Sequence, residues 1–65
     1  MSVGMFPPKE FRENPVIVAL YAAKRSYERQ NILAQRQGDA WSVMESTDKI
    51  IDLNARIYEL QNPEA

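Results

Sequence analysis

The sequence predicts an all-α protein, an antiparallel two-helix hairpin with an extended N-terminal arm that assembles into a helical bundle. Two segments, 15–37 and 39–61, have apolar residues at helical spacing and carry start and stop signals at their ends. A short connection around Gly38 and Asp39 separates them, and short connections join antiparallel neighbours. The first segment also carries more apolar surface than one neighbouring helix covers.

The second predicted helix, 39–61, has the most regular pattern in the chain. One stripe of positions alternates in steps of three and four residues, and a second apolar column lies directly beside it. This width favours a helix with neighbours on two sides. The stripe consists of Val43, Ser46, Ile50, Leu53, Ile57 and Leu60, and the second column of Met44, Ile51 and Tyr58. Asn62 and Pro63 end the helix.

The first predicted helix, 15–37, begins at Asn14-Pro15 and ends at Gly38. Its first part, 16–23, is apolar on every side, which is typical of a segment that is buried on every side. Farther along, the helix becomes amphipathic, and we expect one face to pack. That face consists of Val16, Leu20, Ala23, Tyr27 and Ala34, with Gln30 interrupting it.

The connection between the helices is compatible with more than one structure. Asp39 is a good N-cap, while Ser42 to Glu45 fits a capping box that begins the helix later. A single long helix through Gly38 is the alternative to a hairpin, at a cost of about 1 kcal/mol relative to Ala. We expect Trp41 to pack on the end of the hairpin.

The N-terminal arm, 1–14, contains Gly4 and the pair Pro7-Pro8, which favour an extended conformation. Three interpretations remain for it. Phe6 and Phe11 fold back and cap the bundle, they insert into a neighbouring subunit or partner, or the arm is a disordered tail. At the other end, residues 62–65 are expected to form a frayed tail.

Charge divides between the two helices. Lys24, Arg25, Arg29 and Arg36 outnumber Glu28 in the first, a sum of +3. In the second, five acidic residues outnumber Lys49 and Arg56, a sum of −3. One interpretation is that the helices, or separate subunits, choose their register through complementary flanks. The other is a nucleic-acid surface built from the four basic residues, although the net charge of −1 opposes it.

Composition excludes several classes of site. The chain of 65 residues has no Cys and no His, which removes disulfides, thiolate metal sites and the commonest general base. We interpret the acidic flank of the second helix as a solvent-exposed surface; it consists of Glu45, Asp48, Asp52 and Glu59. We therefore expect no enzyme activity, metal, cofactor, small-molecule substrate or membrane role, and a cytoplasmic or intracellular location.

The predicted function is a non-enzymatic protein–protein interaction module, a self-associating hairpin that serves as a structural or adaptor subunit. The alternatives are a small dimeric nucleic-acid-binding regulator, or an inhibitor that docks its arm on another protein. The predicted interface consists of Phe6, Phe11, Val16, Ile17, Val18, Leu20, Tyr21, Val43, Ile50, Leu53, Ile57 and Leu60.

Overall fold

The computed structural model describes residues 5–63. Within them the chain forms two helices, α1 (Pro15–Gln37) and α2 (Ala40–Gln61), after a short 3₁₀ turn at Lys9–Phe11. The helices pack against each other as a hairpin, so the all-helical fold is confirmed and the single long helix is wrong. The predicted arm's residues 1–4 and the predicted tail's residues 64–65 lie outside the described part of the chain.

Both ends of α1 are held by the residues that the sequence indicates. The Asn14 side chain accepts hydrogen bonds from the backbone N–H groups of Val16 and Ile17, at 3.0 and 3.3 Å. Pro15 occupies the first turn, where its missing N–H leaves no helical bond unmade. Gly38 then adopts the left-handed conformation, with φ at 68°, and its N–H donates to carbonyls of the last turn.

The structure shows which of the two predicted N-cap residues begins α2. Asp39 is the N-cap, and its side chain accepts from the Ser42 N–H at 3.2 Å and from the Ser42 hydroxyl at 2.7 Å. The later start at Ser42 is wrong, because Ser42 lies inside the helix and donates to the cap. Asn62 ends α2, as expected, with its N–H donating to the Tyr58 carbonyl.

The apolar core of the hairpin is small. Ile17 and Tyr21 of α1 are buried against Ile57 of α2, and Phe11 and Leu20 pack against this cluster. The predicted packing face of α1 is therefore only partly right. Its members Leu20, Ala23 and Tyr27 are half-buried, Ala34 is buried and Val16 is exposed. Ile17 and Tyr21, which lie beside that face, form the centre of the contact instead.

Toward the loop, polar side chains hold the two helices together. The Asn31 amide group donates to the Val43 carbonyl, the Ser46 hydroxyl and the Thr47 hydroxyl, at 3.2, 2.9 and 3.0 Å. Gln35 donates to the Asn31 oxygen from the next turn. Near the other end of the hairpin, Gln61 donates to the Tyr21 hydroxyl at 2.9 Å. The helix contact is thus apolar around Ile17, Tyr21 and Ile57 and combines apolar with polar side chains toward the loop.

The described part of the arm folds back on the hairpin. Pro8 has the φ and ψ of a polyproline conformation, −58° and 158°, and the 3₁₀ turn at Lys9–Phe11 follows it. This turn directs Phe11 to the core cluster. For Phe11 the structure therefore agrees with the first of the three interpretations of the arm.

Candidate interaction surfaces

The second apolar column of α2 faces away from α1. Met44 is 60% exposed, Ile51 is 61% exposed and Tyr58 is 41% exposed. Since α1 covers the neighbouring stripe, with Leu53 and Ile57 buried, one hairpin leaves this column without an apolar neighbour. Contiguous exposed apolar residues of this kind are typical of surfaces that bind another protein.

The predicted interface residues are divided by the hairpin into three groups. Eight are covered within the chain, four fully and four partly, and the remaining four are exposed. The buried residues are Ile17, Tyr21, Leu53 and Ile57, the half-buried ones are Phe11, Leu20, Val43 and Ile50, and the exposed ones are Phe6, Val16, Val18 and Leu60. The buried group thus contributes to the fold of the single chain, and only the exposed and half-buried groups present area to another molecule.

The apolar start of α1 is not covered on every side by the hairpin. Ile17 is buried by this chain alone, contrary to the expectation that other chains must cover it, whereas Val18 and Ala22 are exposed. Val16, 56% exposed, lines an open groove with Leu20 and Leu60. Arg56 and Glu59 form the polar side of that groove.

Trp41 is placed differently from the expectation. The sequence predicts that it packs on the hairpin end, but its side chain is 77% exposed. It lies at the start of α2 beside Met44, Glu45 and Asp48, with which it lines a shallow pocket. An exposed indole next to apolar and acidic neighbours is typical of a surface that binds another protein, where Trp is enriched.

The four predicted nucleic-acid contacts do not form one exposed surface. Lys24 is 3% exposed, and its Nζ lies 3.9 Å from the Glu28 carboxylate. The prediction that Lys24 belongs to an exposed basic surface is therefore wrong. Arg25 is half-buried under the arm. Its guanidinium lies 4.6 Å from the centre of the Phe6 ring and donates to the Met5 carbonyl at 3.1 Å. Arg29 and Arg36 are exposed.

Ion pairs among the described residues stay within one helix. Lys24 pairs with Glu28 in α1, and Arg56 pairs with Asp52 in α2 at 3.4 Å. Glu45 and Lys49, at the same spacing in α2 as Asp52 and Arg56, form no ion pair in the described part of the chain. No ion pair between described residues joins α1 to α2.

Residues 5–63 also bear on metal, membrane and titratable sites. No group of three or more Asp, Glu, His or Cys side chains in this range is arranged to hold a metal ion. Neither described helix combines the length and apolar character needed to cross a membrane. Asp39 has a lowered pKa, because the Ser42 hydroxyl and the Ser42 N–H both donate to its carboxylate, which is a capping role.

No protein-family model, curated protein or solved structure matches this chain.

Proposed function

We propose that the chain is a non-enzymatic protein–protein interaction module. It is an antiparallel helical hairpin that self-associates into a helical bundle and acts as a structural or adaptor subunit of a larger assembly. The observation that carries this proposal is the exposed column Met44, Ile51 and Tyr58, which repeats every seven residues along α2. Such a repeat places one exposed apolar side chain every two turns along a single line of α2, where a further helix can pack.

The limited stability that a single hairpin gains from its own core supports the same proposal. The core cluster has three buried side chains, and a chain of 65 residues gains limited stability from its own core. Disulfides are excluded because the sequence has no Cys. Burying exposed apolar surface contributes about 25 cal/mol per Å², so covering the column with another helix supplies part of the missing stability. The absence of Cys also favours an intracellular location.

The proposal is tested with Ile51→Lys, which places a charge in the middle of the column. We expect self-association of the full chain to weaken at least tenfold, since the loss of a buried Ile side chain costs roughly 1.5–3 kcal/mol. Sedimentation equilibrium of the wild type and the variant measures the association constant, and circular dichroism checks that the helices remain.

Leu33→Lys is the matched control for this experiment. Leu33 is also an exposed apolar residue, 49% against 61% for Ile51, but it lies on α1 and lines a different groove with Tyr27 and Ala34. We expect this variant to self-associate like the wild type. Equal association constants for wild type and Ile51→Lys, with the wild type associated, would rule out the column as the seam.

A further inference from the structure

A strip of α1 lies outside the hairpin contact and is basic. Its six positions alternate in steps of four and three residues, so they follow one line along the helix surface. Three of them are arginines and none is acidic. The strip, called here the basic strip, consists of Val18, Ala22, Arg25, Arg29, Ile32 and Arg36. All of these residues are exposed except Arg25, which is half-buried under the arm.

A matching strip on α2 is acidic. Its six positions alternate in steps of three and four and include the apolar column described above. The strip, called here the acidic strip, consists of Trp41, Met44, Asp48, Ile51, Ala55 and Tyr58, and every one of these residues is exposed. Glu45, Asp52 and Glu59 border it, each one residue beyond a member of the column. Apolar side chains thus form its centre and carboxylates its edge.

The two strips fit each other in length, spacing and charge. At 1.5 Å per residue, the basic strip is about 27 Å long and the acidic strip about 26 Å. Each has three or more apolar residues among its six positions, and one carries arginines while the other carries carboxylates. They are parts of the same hairpin, and its helices already contact each other through a different face. The complement of each strip is therefore available on a second copy of the chain.

Several charges of the strips have no ion-pair partner among the described residues, although Arg25 contacts the arm and Asp52 pairs with Arg56. No ion pair between described residues connects α1 with α2, and the pairs that form lie within a single helix. Arg29 and Arg36 point into solvent, as do Glu45 and Asp48. Complementary charge at the edge of an apolar seam selects the partner and its register.

We propose that the partner in self-association is a second copy that places its acidic strip on the basic strip, and its basic strip on the acidic strip. The contact is then isologous, because each strip pair occurs twice and the dimer closes on itself. It gives four helices with apolar seams on both sides of α2. This inference rests on the proposed self-association and specifies which surfaces meet.

The test is a charge exchange between two variants of the full chain. The first variant, Arg29→Glu with Arg36→Glu, makes both of its strips acidic. The second, Glu45→Lys with Asp48→Lys and Glu59→Lys, makes both of its strips basic, because only Asp52 remains of the four carboxylates in and beside the acidic strip. Each variant alone then meets like charges at both contacts, and we expect its dissociation constant to rise at least about tenfold. An equimolar mixture restores opposite charges at both contacts, and we expect heterodimers at close to the wild-type affinity.

Sedimentation equilibrium of each variant and of the mixture gives the affinities, and one variant carrying a mass label identifies the heterodimer. Lys9→Glu with Arg12→Glu is the control, since it reverses two exposed basic residues that belong to neither strip and form no ion pair among the described residues; we expect it to associate like the wild type. Variants that associate as well as wild type, or a mixture that does not recover, would overturn the strip pairing while leaving self-association standing. A monomeric wild type would instead remove the proposed function.

Discussion

At the scale of single residues, Asn31 links the two helices in the half of the hairpin nearer the loop. Its amide group reaches one carbonyl and two hydroxyls of α2, and its oxygen accepts from Gln35. Hydrogen bonds of this kind contribute little net energy when made, but a polar group left unpaired in a covered site costs about 1–3 kcal/mol. Asn54 Oδ1 in α2 is such a group already, buried without a hydrogen-bond partner.

Asn31→Ala removes these contacts and leaves Ser46 and Thr47 without their donor. We expect the free energy of unfolding to fall by about 1–3 kcal/mol, because the buried Ser46 hydroxyl loses a donor, whereas the exposed Thr47 hydroxyl can bond to water instead. Urea unfolding at one fixed chain concentration measures it, since self-association makes apparent stability depend on concentration. Gln30→Ala, one position earlier on an exposed part of α1, is the control and should change stability by less than about 0.5 kcal/mol. Equal losses in both variants would contradict the role given to Asn31.

At the scale of elements, the ends of the helices follow from a few local residues. Asn14, Gly38 and Asp39 each satisfy backbone groups that a helix end leaves unpaired, and this depends only on neighbours in sequence. For that reason the bounds of α1 could be read from the chain. The start of α2 was ambiguous, because Ser42 suits a cap as well as Asp39 does. In the structure the two residues cooperate, with Ser42 donating to Asp39.

The Asp39 cap makes the start of α2 sensitive to acid. Hydrogen bonds from Ser42 lower the pKa of Asp39 below its ordinary value of 3.8. A lowered pKa in the folded state means that the carboxylate stabilises the fold above pH 3.8. This contribution is lost as the pH falls through the folded-state pKa, below that value. Asp39→Asn keeps a capping oxygen and does not titrate.

The difference in melting temperature between wild type and Asp39→Asn isolates this one group from the other carboxylates. We expect the wild type to be favoured relative to the variant at pH values above 3.8 and to lose that advantage as the pH falls below it. Thermal unfolding followed by circular dichroism from about pH 6 to about pH 2 gives the curve. A difference that does not change with pH would show that the Asp39 charge contributes nothing to the cap.

The face of α1 that meets α2 could not be predicted from spacing. Residues 16–23 are apolar around the whole helix, so the pattern gives no preferred direction there. The direction is decided by contacts distant in sequence, such as Tyr21 with Gln61 and Asn31 with Ser46. Asn31 is a polar residue that a hydrophobic pattern assigns to solvent. The burial of Lys24 could not be predicted for the same reason, since a charged residue in the sequence gives no indication that its side chain is buried.

The candidate surface was partly visible in the sequence. Met44, Ile51 and Tyr58 repeat every seven residues, which identifies them as a column whatever the partner. The interface predicted from the neighbouring stripe included Leu53 and Ile57, which the hairpin uses for its own core. Only the packing of α1 shows which of the two adjacent columns remains exposed.

At the scale of the whole molecule, the hairpin joins a small core to extensive exposed apolar surface. Three side chains form the buried cluster, while both helices carry apolar residues on faces that the hairpin leaves uncovered, at heptad spacing in α2. The two helices also carry opposite charge that is not paired between them among the described residues. Together these features favour a hairpin that completes its apolar contacts with further chains.

The central claim, that the hairpin self-associates, is tested most directly by sedimentation equilibrium of the full 65-residue chain over a range of concentrations. The account predicts a helical species whose mass is at least twice the 7.5 kDa of one chain at micromolar concentration. It also predicts a fall in mean mass on dilution or at high salt, since the strip contacts are partly electrostatic. A stably folded particle of 7.5 kDa at every concentration would contradict it.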